Sequence, residues 1–266
     1  MLGTDLFAAA KGKLDAAVYD LPEFDITNER QLSEVVRGSD VLINCAAFTD
    51  VDGAESQTDY AYKVNAEAAG RLGVLAAEAD AWVLHVSTDF VFDGKLDRPY
   101  TEADAPGPIN AYGKSKLAGE RLLLESGCRN CIIRIEWTYG LNGSNFVTRL
   151  LERAKMQKQL KVVDDQTGSP TATTQVAEVI LKLVQRKPHG IFHFASEGYI
   201  SRYEMARFIF QSKPVDVEVL PCRSSDFVSA AERPLNSRFG CTKIKTLLGE
   251  PIEPWQGPLE SFLGKL

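Results

Sequence analysis

The chain has 266 residues, of which 44% are hydrophobic and 25% charged, and its formal net charge is -6. These values are typical of one large globular α/β domain, or of such a domain with a smaller lobe. The negative charge and the lack of a basic stripe argue against nucleic-acid binding. No apolar run is long enough to span a membrane, and the first residues do not resemble a secretion signal, so we expect a cytoplasmic protein.

The cysteines and histidines do not predict a metal site. Five scattered cysteines are an odd number, which fits a reducing compartment. Cys128 and Cys131 form a Cys-x-x-Cys pair, but zinc would need a second pair of ligands, and Cys222 and Cys241 are single and far apart. The three histidines have no metal-binding spacing, and His85 lies in a predicted strand, where we expect a packed core residue.

The first third of the chain predicts alternating helices and strands. A helix is predicted over 2–10, with Gly3 near its start, and a short strand over 16–20. Asp20 at the end of that strand is either a ligand of an adenosine ribose or a turn aspartate. A helix is predicted over 29–36, and Asp25 is a candidate for its N-cap.

Small residues follow the next predicted strand, which covers 41–45. Ala46 and Ala47 would let a cofactor lie against the backbone at the carboxyl end of this strand, although close helix–strand packing is the alternative. The following helix contains Asn65, and asparagine is unfavourable inside a helix. We therefore expect Asn65 to bond a backbone carbonyl and to join a proton relay to Lys116.

A β-rich apolar run over 81–89 ends in hydroxyl and carboxyl side chains, among them Thr88, which we expect at the C-terminal end of a strand. Ligands bind at the carboxyl ends of strands in open α/β sheets. After a long loop, Tyr112 and Lys116 stand four residues apart in a predicted helix, which places both on one face. A lysine beside a phenol should lower the tyrosine pKa toward neutrality. The alternative is an aromatic edge beside a solvated lysine.

The last part of the chain predicts a smaller lobe after the main sheet. Trp137 follows a predicted strand and is either one wall of a substrate pocket or an ordinary core indole. The predicted elements are a strand over 131–135, a helix over 145–157, a strand over 160–163, a helix over 174–185, a strand over 190–195, a helix over 202–211 and a final helix.

Thr88 at a strand end, followed by Tyr112-x-x-x-Lys116 at a helix start, resembles the short-chain dehydrogenase/reductase family. Further motifs occur in order along the chain, at 44–52, 87–94, 110–120, 134–140, 165–171 and 233–237. Together they resemble the dTDP-4-dehydrorhamnose reductase family, which belongs to the extended branch of those enzymes. The resemblance covers the chain from Gly3 onward.

This resemblance implies an α/β fold, with a Rossmann-like doubly wound parallel sheet and a smaller C-terminal substrate-binding lobe. The dinucleotide-binding domain would cover about 1–141 and 160–195, and the sugar-nucleotide lobe about 142–159 and 196–266. The family opens with an apolar strand and a loop resembling Gly-x-x-Gly-x-x-Gly. Only its last glycine, Gly3, is present, so we expect the first strand and most of that loop to be absent from this chain.

The implied activity is reduction of the 4-keto group of dTDP-4-dehydro-L-rhamnose to dTDP-L-rhamnose, with NADPH or NADH as cofactor. Thr88 would hydrogen-bond the keto oxygen, Tyr112 would protonate the alkoxide, and Lys116 would lower the phenol pKa and hold the nicotinamide ribose. The implied partners are a dTDP-sugar substrate and, in a homodimer, a second copy of the chain, with no nucleic acid and no membrane.

The resemblance also implies two sets of binding residues. Those expected along the cofactor are Met1, Leu2, Gly3, Asp25, Ile26, Ala46, Ala47, Phe48, Thr49, Val86, Tyr112 and Lys116. Those expected around the sugar nucleotide are Val51, Thr88, Asp89, Phe90 and Trp137. Glu136 replaces the small polar residue expected before Trp137, so we expect a different charge in this pocket.

Two other functions remain open at this point. The first is a non-catalytic, cofactor-binding regulatory subunit that resembles the methionine adenosyltransferase β subunit. The second is another sugar-nucleotide short-chain dehydrogenase, such as an epimerase or a dehydratase. Such enzymes usually carry extra acid/base residues near the tyrosine, and segment 88–90 offers no obvious second base.

Overall fold

The computed structural model describes all 266 residues. The helices are α1 (Leu2–Ala10), α2 (Glu29–Arg37), α3 (Gly53–Ser56), α4 (Thr58–Tyr62), α5 (Ala68–Glu78), α6 (Ala111–Glu125), α7 (Phe146–Met156), α8 (Thr173–Arg186), α9 (Arg202–Ser212), α10 (Thr242–Leu248) and α11 (Gln256–Leu263). The strands are β1 (Val41–Asn44), β2 (Trp82–Thr88), β3 (Arg129–Ile135), β4 (Thr138–Tyr139), β5 (Gln159–Val163), β6 (Thr167–Gly168), β7 (Thr171–Ala172), β8 (Gly190–Phe194), β9 (Ile200–Ser201) and β10 (Glu218–Cys222). None of the helices has the length and hydropathy needed to cross a membrane.

The main sheet has four parallel strands in the order β1-β2-β3-β8. β2 and β3 are almost entirely buried, as expected for central strands of a parallel sheet that is covered on both faces. Because the strands are parallel, their carboxyl ends meet at one edge of the sheet. Thr88 at the end of β2 pairs with Ile135 at the end of β3 on this edge.

Helices cover both faces of the sheet. On one face, α2, α5 and α6 bury apolar side chains such as Leu32, Leu72 and Leu123. On the other face, α1 and α8 bury side chains such as Leu6 and Ile180. Complete burial of one such side chain contributes about 1.5–3 kcal/mol. This doubly wound arrangement confirms the predicted α/β fold class.

A second hydrophobic cluster forms the smaller lobe. α7, α9 and α11 pack around it and contribute Val147, Ile209 and Leu259. β5 pairs in parallel with β10, and neither strand joins the main sheet. The sequence pattern groups 160–195 with the sheet, whereas this pairing places β5 in the lobe. The division into two domains otherwise stays a prediction.

The strand predicted over 16–20 is not formed. This segment is irregular, and Val18 and Tyr19 leave 54% and 53% of their surface exposed. A strand needs a hydrogen-bonding neighbour, and β1, at the edge of the sheet, pairs only with β2. The carboxylate of Asp20 instead accepts a hydrogen bond from the backbone N–H of Leu21 at 2.9 Å.

Gly119 lets α6 approach a short π-helix, Lys63–Glu67, very closely. A Cβ atom at Gly119 would lie 2.0 Å from the backbone oxygen of Asn65. Real Cβ atoms do not approach this near, so any larger residue would push the two helices apart. Because α6 also contains Tyr112 and Lys116, this contact sets how deeply the candidate site residues lie.

We expect Gly119→Ala to lower the free energy of unfolding by about 1–3 kcal/mol, because the added methyl group overpacks this contact. Urea unfolding measures the change. Gly107→Ala is the matched control, since the nearest atom to its added Cβ is 3.9 Å away. Equal stability of the two variants would contradict the close approach.

Candidate active site

The candidate site lies where β1 and β2 end and α6 begins. The start of α6 is fixed by Asn110, whose side chain accepts a hydrogen bond from the Gly113 backbone N–H at 2.8 Å. The carboxylate of Glu55 accepts a second one from the Ala111 N–H, also at 2.8 Å. These caps satisfy backbone donors that a helix start otherwise leaves unpaired. They hold Tyr112 in the first turn of α6.

Tyr112 lies beside the residues that follow β2. The side chain of Thr88 hydrogen-bonds the Tyr112 phenol and lowers its pKa. The Thr88 hydroxyl also donates to Asp89 Oδ1 at 3.0 Å. The ring of Phe90 packs edge-on against Tyr112, with 5.5 Å between the ring centroids. Four of the predicted site residues therefore lie next to one another, namely Thr88, Asp89, Phe90 and Tyr112.

The pKa of Tyr112 is shifted in the direction opposite to the sequence-based expectation. Burial of the phenol raises its pKa to about 12, because the charged phenolate loses hydration. The hydrogen bond between Thr88 and the phenol opposes this rise, and the negative charge of Asp89 adds to it. In the free protein, the predicted fall of the Tyr112 pKa toward neutrality is therefore wrong.

Lys116 does not lower the Tyr112 pKa because its amino group faces the sheet. Its Nζ donates to the Val86 backbone oxygen at 2.7 Å and lies 3.2 Å from His85 Nε2. The residue is only 2% exposed. Burial lowers the lysine pKa to about 8, while the charge of Glu120 opposes this fall.

Asn65 connects the segment after β1 to α6. Its amide group donates to the Phe48 backbone oxygen at 3.2 Å and to the Ser115 hydroxyl at 2.9 Å, and its oxygen accepts from the Phe48 N–H at 2.8 Å. The predicted bond to a backbone carbonyl is confirmed. No direct hydrogen bond joins Asn65 to Lys116, and the relay between them stays a prediction.

The cofactor residues predicted after β1 lie at the surface. Ala46 and Thr49 are exposed, and Ala47 and Phe48 are half-buried. A Cβ atom at Gly3 would lie 3.9 Å from Cys45 Cβ, which places the start of α1 beside the end of β1. Small side chains and a helix N-terminus at one edge suit an extended, phosphate-containing ligand. The residues present therefore fit a dinucleotide.

The other predicted cofactor residues at the start of the chain flank this edge. Met1 precedes α1 as its N-cap residue, and Leu2 is the first residue of that helix. Met1 also lies next to Gly140, since a Cβ there would approach the methionine Cγ to 3.2 Å. The start of α1 therefore borders the segment that follows β4.

Asp25 and Ile26 lie on the loop before α2, away from Tyr112. The α2 N-cap is Asn28, whose side chain accepts from the Gln31 backbone N–H, so Asp25 does not cap this helix. Asp25 Oδ1 instead accepts from the Thr27 N–H at 2.8 Å, because it lies three residues too early to reach the helix. Ile26 packs against the hydrophobic cluster under α2.

Trp137 has an unusual backbone conformation at the proposed substrate pocket. Its φ angle is +46°, in the left-handed region that aromatic residues rarely adopt. The Arg202 guanidinium lies 3.5 Å from the centre of its ring. On another side, a Cβ at Gly168 would lie 2.6 Å from the indole. The indole is thus held in one orientation between Arg202 and Gly168.

Arg202 is the residue that sequence reasoning missed. Its guanidinium stacks on Trp137 and on Phe146, and no carboxylate forms an ion pair with it. Burial lowers its pKa to about 9, while Asp89 and Glu136 oppose this fall. The charges of two further arginines, Arg149 and Arg233, lower it further. No sequence motif marks this convergence, because the three arginines lie far apart in the chain.

Two buried carboxyl groups lie beneath this pocket. Glu136 accepts hydrogen bonds from the backbone N–H groups of Ser169 at 2.9 Å and Phe239 at 3.1 Å. Burial raises the Glu136 pKa well above its ordinary value, and the nearby Asp89 charge raises it further. Burial also raises the Asp89 pKa, although its hydrogen bond from Ser237 opposes the rise. Glu136 therefore favours the neutral form, and the expected change in pocket charge is small.

Val51 is half-buried in the turn after β1. The next residue, Asp52, forms an ion pair with Arg233 at 2.6 Å and accepts from the Ala231 N–H at 3.0 Å. These bonds connect the Val51 turn to the C-terminal part of the chain. No group of three or more His, Cys, Asp or Glu side chains is placed to hold a metal ion.

A doubly wound parallel sheet, with Thr88 at a strand end and Tyr112 and Lys116 on the following helix, defines a dinucleotide-dependent oxidoreductase of the short-chain dehydrogenase/reductase class. The family described as "RmlD substrate binding domain" matches residues 1–266. The chain therefore belongs to this family.

Individual relatives agree with this result. The dTDP-4-dehydrorhamnose reductase of Mycobacterium tuberculosis is 37% identical over 270 residues, which cover 98% of this chain and 89% of that protein. A dTDP-4-dehydrorhamnose reductase crystal structure from Clostridium acetobutylicum has a TM-score of 0.95 at 36% identity, covering 99% of this chain and 95% of that one. One from Bacillus anthracis, in complex with NADP, has a TM-score of 0.93 at 35% identity, covering 100% and 95%.

We expect Tyr112 to stay protonated up to and beyond about pH 10, the ordinary tyrosine value, because burial raises its pKa to about 12. The difference in phenolate absorbance between the wild-type protein and Tyr112→Phe during a pH titration measures this. The two curves should coincide below about pH 10. A phenolate lost with Tyr112 near neutral pH would contradict the structure.

Proposed function

We propose that this chain reduces the 4-keto group of dTDP-4-dehydro-L-rhamnose to dTDP-L-rhamnose with NADPH or NADH. This is a step of dTDP-rhamnose biosynthesis, which supplies a precursor of cell-surface polysaccharide. The observation that carries the proposal is a half-buried, protonated Tyr112 beside Thr88 at the carboxyl end of β2. The family and the similarity to enzymes named dTDP-4-dehydrorhamnose reductase support the same substrate.

The cofactor would lie along the carboxyl ends of β1 and β2. When bound, its nicotinamide supplies the hydride that reduces C4 of the sugar. The residues proposed to hold it at the start of α1 and after β1 are Met1, Leu2, Gly3, Ala46, Ala47, Phe48 and Thr49. Asp25 and Ile26 would flank the adenine, and Val86 would line the nicotinamide end. NADP in the similar Bacillus anthracis structure supports this choice of cofactor.

Thr88 and Tyr112 act on the keto oxygen. Negative charge develops on this oxygen as C4 is reduced, so groups that stabilise the alkoxide more than the ketone raise the rate. We propose that Thr88 moves its hydrogen bond from Asp89 to this oxygen. Tyr112 then donates its proton. The raised pKa keeps that proton in place until a strong base, the alkoxide, forms beside it.

Lys116 lies one turn further along α6, on the same face as Tyr112. Its Nζ reaches the Val86 backbone oxygen at the carboxyl end of β2, where the nicotinamide ribose would lie. We propose that Lys116 binds the hydroxyl groups of this ribose and so places the nicotinamide ring next to Tyr112.

The sugar nucleotide would lie across Trp137. The diphosphate of the sugar nucleotide is negatively charged and is bound best by positively charged side chains. One guanidinium group can donate two parallel hydrogen bonds to phosphate oxygens. Arg202 has no ion-pair partner and lies near Arg149 and Arg233, so we propose that it binds this diphosphate. Asp89, Phe90 and Val51 would surround the sugar.

The chain's five cysteines form no disulfide. This supports the proposal that the protein works in the reducing cytoplasm. The homodimer stays a proposal that rests on the family resemblance alone.

Tyr112→Phe should reduce turnover of dTDP-4-dehydro-L-rhamnose roughly a hundredfold to ten-thousandfold, because the proton donor is lost. NADPH oxidation measures the rate, and fluorescence titration with NADPH checks that cofactor binding remains. Tyr60→Phe removes only the hydroxyl of an exposed tyrosine and keeps the ring that packs against Phe48, so this control should keep full activity. Undiminished turnover in Tyr112→Phe would exclude the assigned role.

Arg202→Met should raise the KM for the dTDP-sugar roughly tenfold to a hundredfold, since a charge-assisted hydrogen bond contributes about 1.5–3 kcal/mol. The affinity for NADPH should not change. Arg207→Met, at an exposed arginine on the same helix, is the matched control and should leave the KM unchanged. An unchanged KM in Arg202→Met would remove this residue from the substrate site.

A further inference from the structure

A line of hydrogen bonds runs from the proposed cofactor edge to Lys116 through the interior of the sheet. The Ala46 backbone N–H donates to Asn44 Oδ1 at 3.0 Å. Asn44 Nδ2 lies 3.1 Å from His85 Nδ1, and His85 Nε2 lies 3.2 Å from Lys116 Nζ. Asn44, His85 and Lys116 are each 5% exposed or less. Water therefore does not compete for these bonds.

The donors and acceptors along this line have one consistent direction. A backbone N–H can only donate, so the Asn44 atom that faces Ala46 must be the amide oxygen. The other end of the Asn44 side chain is then its NH₂ group, which also only donates. His85 Nδ1 must therefore accept, and it carries no proton.

The direction of these hydrogen bonds determines the protonation state and the tautomer of His85. Burial lowers the His85 pKa well below its ordinary value, so the ring is neutral. A neutral imidazole has one N–H, and since Nδ1 accepts, this N–H is at Nε2. That N–H points at Lys116 Nζ. An ammonium group has no lone pair to accept it, whereas a neutral amine has one.

We propose that His85 is a positioning residue whose Nε2–H favours the amine form of Lys116 over the ammonium form in the free protein. In the amine form the lysine donates to the Val86 oxygen and accepts from His85, whereas the ammonium form has no lone pair for the second bond. This inference rests on the proposed function, which gives Tyr112 and Lys116 their catalytic roles. It adds a residue that neither the motifs nor the family resemblance assigns.

The charged and titratable groups around Lys116 are consistent with this state. They are His85 on β2, Cys45 after β1, and Glu120 on α6. Glu120 favours the ammonium form, but both of its oxygens are bound to the Arg134 guanidinium, at 2.8 and 2.6 Å. Burial raises the Cys45 pKa to about 11, so this thiol carries no charge at neutral pH. No free anion therefore compensates an ammonium group at this position.

The other buried histidine provides an internal control. His193 Nδ1 lies 3.1 Å from the Tyr100 backbone oxygen, which can only accept, so Nδ1 carries the proton. His193 Nε2 lies 3.4 Å from Arg134 Nη1, which can only donate. The two buried histidines should therefore have opposite tautomers, His85 with Nε2–H and His193 with Nδ1–H.

Nitrogen-15 NMR of histidine-labelled free protein tests the tautomers without any turnover. The chain has only three histidines, and His85→Gln assigns the His85 signals. We expect one buried histidine protonated at Nε2 and the other at Nδ1. Two buried histidines with the same tautomer, or a His85 ring that becomes charged near neutral pH, would overturn the proposal. If this variant does not fold, His193→Gln assigns the same signals by difference, since His189 is exposed.

Carbon-13 NMR of lysine-labelled free protein tests the effect on Lys116. In His85→Gln, the glutamine oxygen can accept from an ammonium group, so we expect the Lys116 pKa to rise by about one unit or more. His189→Gln, the same substitution at the exposed histidine, should leave it unchanged. An unchanged Lys116 pKa in His85→Gln would overturn the proposal. Neither measurement uses the dTDP-sugar, so failure of the proposed reduction would be detected separately.

Discussion

The buried ion pair between Glu120 and Arg134 is the interaction on which the position of the site depends. Both residues are 1% exposed. Ser87 on β2 donates to the same carboxylate, and Arg134 on β3 also contacts His193 on β8. One polar network thus joins α6 to three strands of the sheet. Removing one charge of such a pair typically costs about 3–5 kcal/mol, because the other is left uncompensated.

This ion pair also sets the orientation of α6. Tyr112, Lys116 and Glu120 follow one another at intervals of four residues, so they share one face of the helix. Once Glu120 is bound to Arg134, that face must point at β2. Lys116 then meets His85 and Val86, and Tyr112 meets Thr88 at the end of the strand. The core of the protein therefore places both proposed catalytic side chains.

Much of this arrangement follows from the sequence, because its signals are local. The apolar run ending in Thr88 and the four-residue spacing of Tyr112 and Lys116 predict which strand end and which helix face form the site. What the sequence does not predict depends on contacts between distant residues. The pKa of Tyr112 rises because the phenol is buried, and Lys116 turns away from it because His85 and Val86 offer better partners. Likewise, β5 pairs with β10, and Arg202 reaches Trp137, only after the lobe has folded.

The position to which the hydride is transferred directly tests whether this chain reduces C4 of the sugar nucleotide. The chain would be incubated with dTDP-4-dehydro-L-rhamnose and NADPH that carries deuterium at the transferred position, and the sugar nucleotide would be examined by proton NMR. We expect dTDP-L-rhamnose with one deuterium at C4. A product without deuterium at C4, or an unchanged ketone under conditions where the protein is folded and binds NADPH, would contradict the proposed reduction.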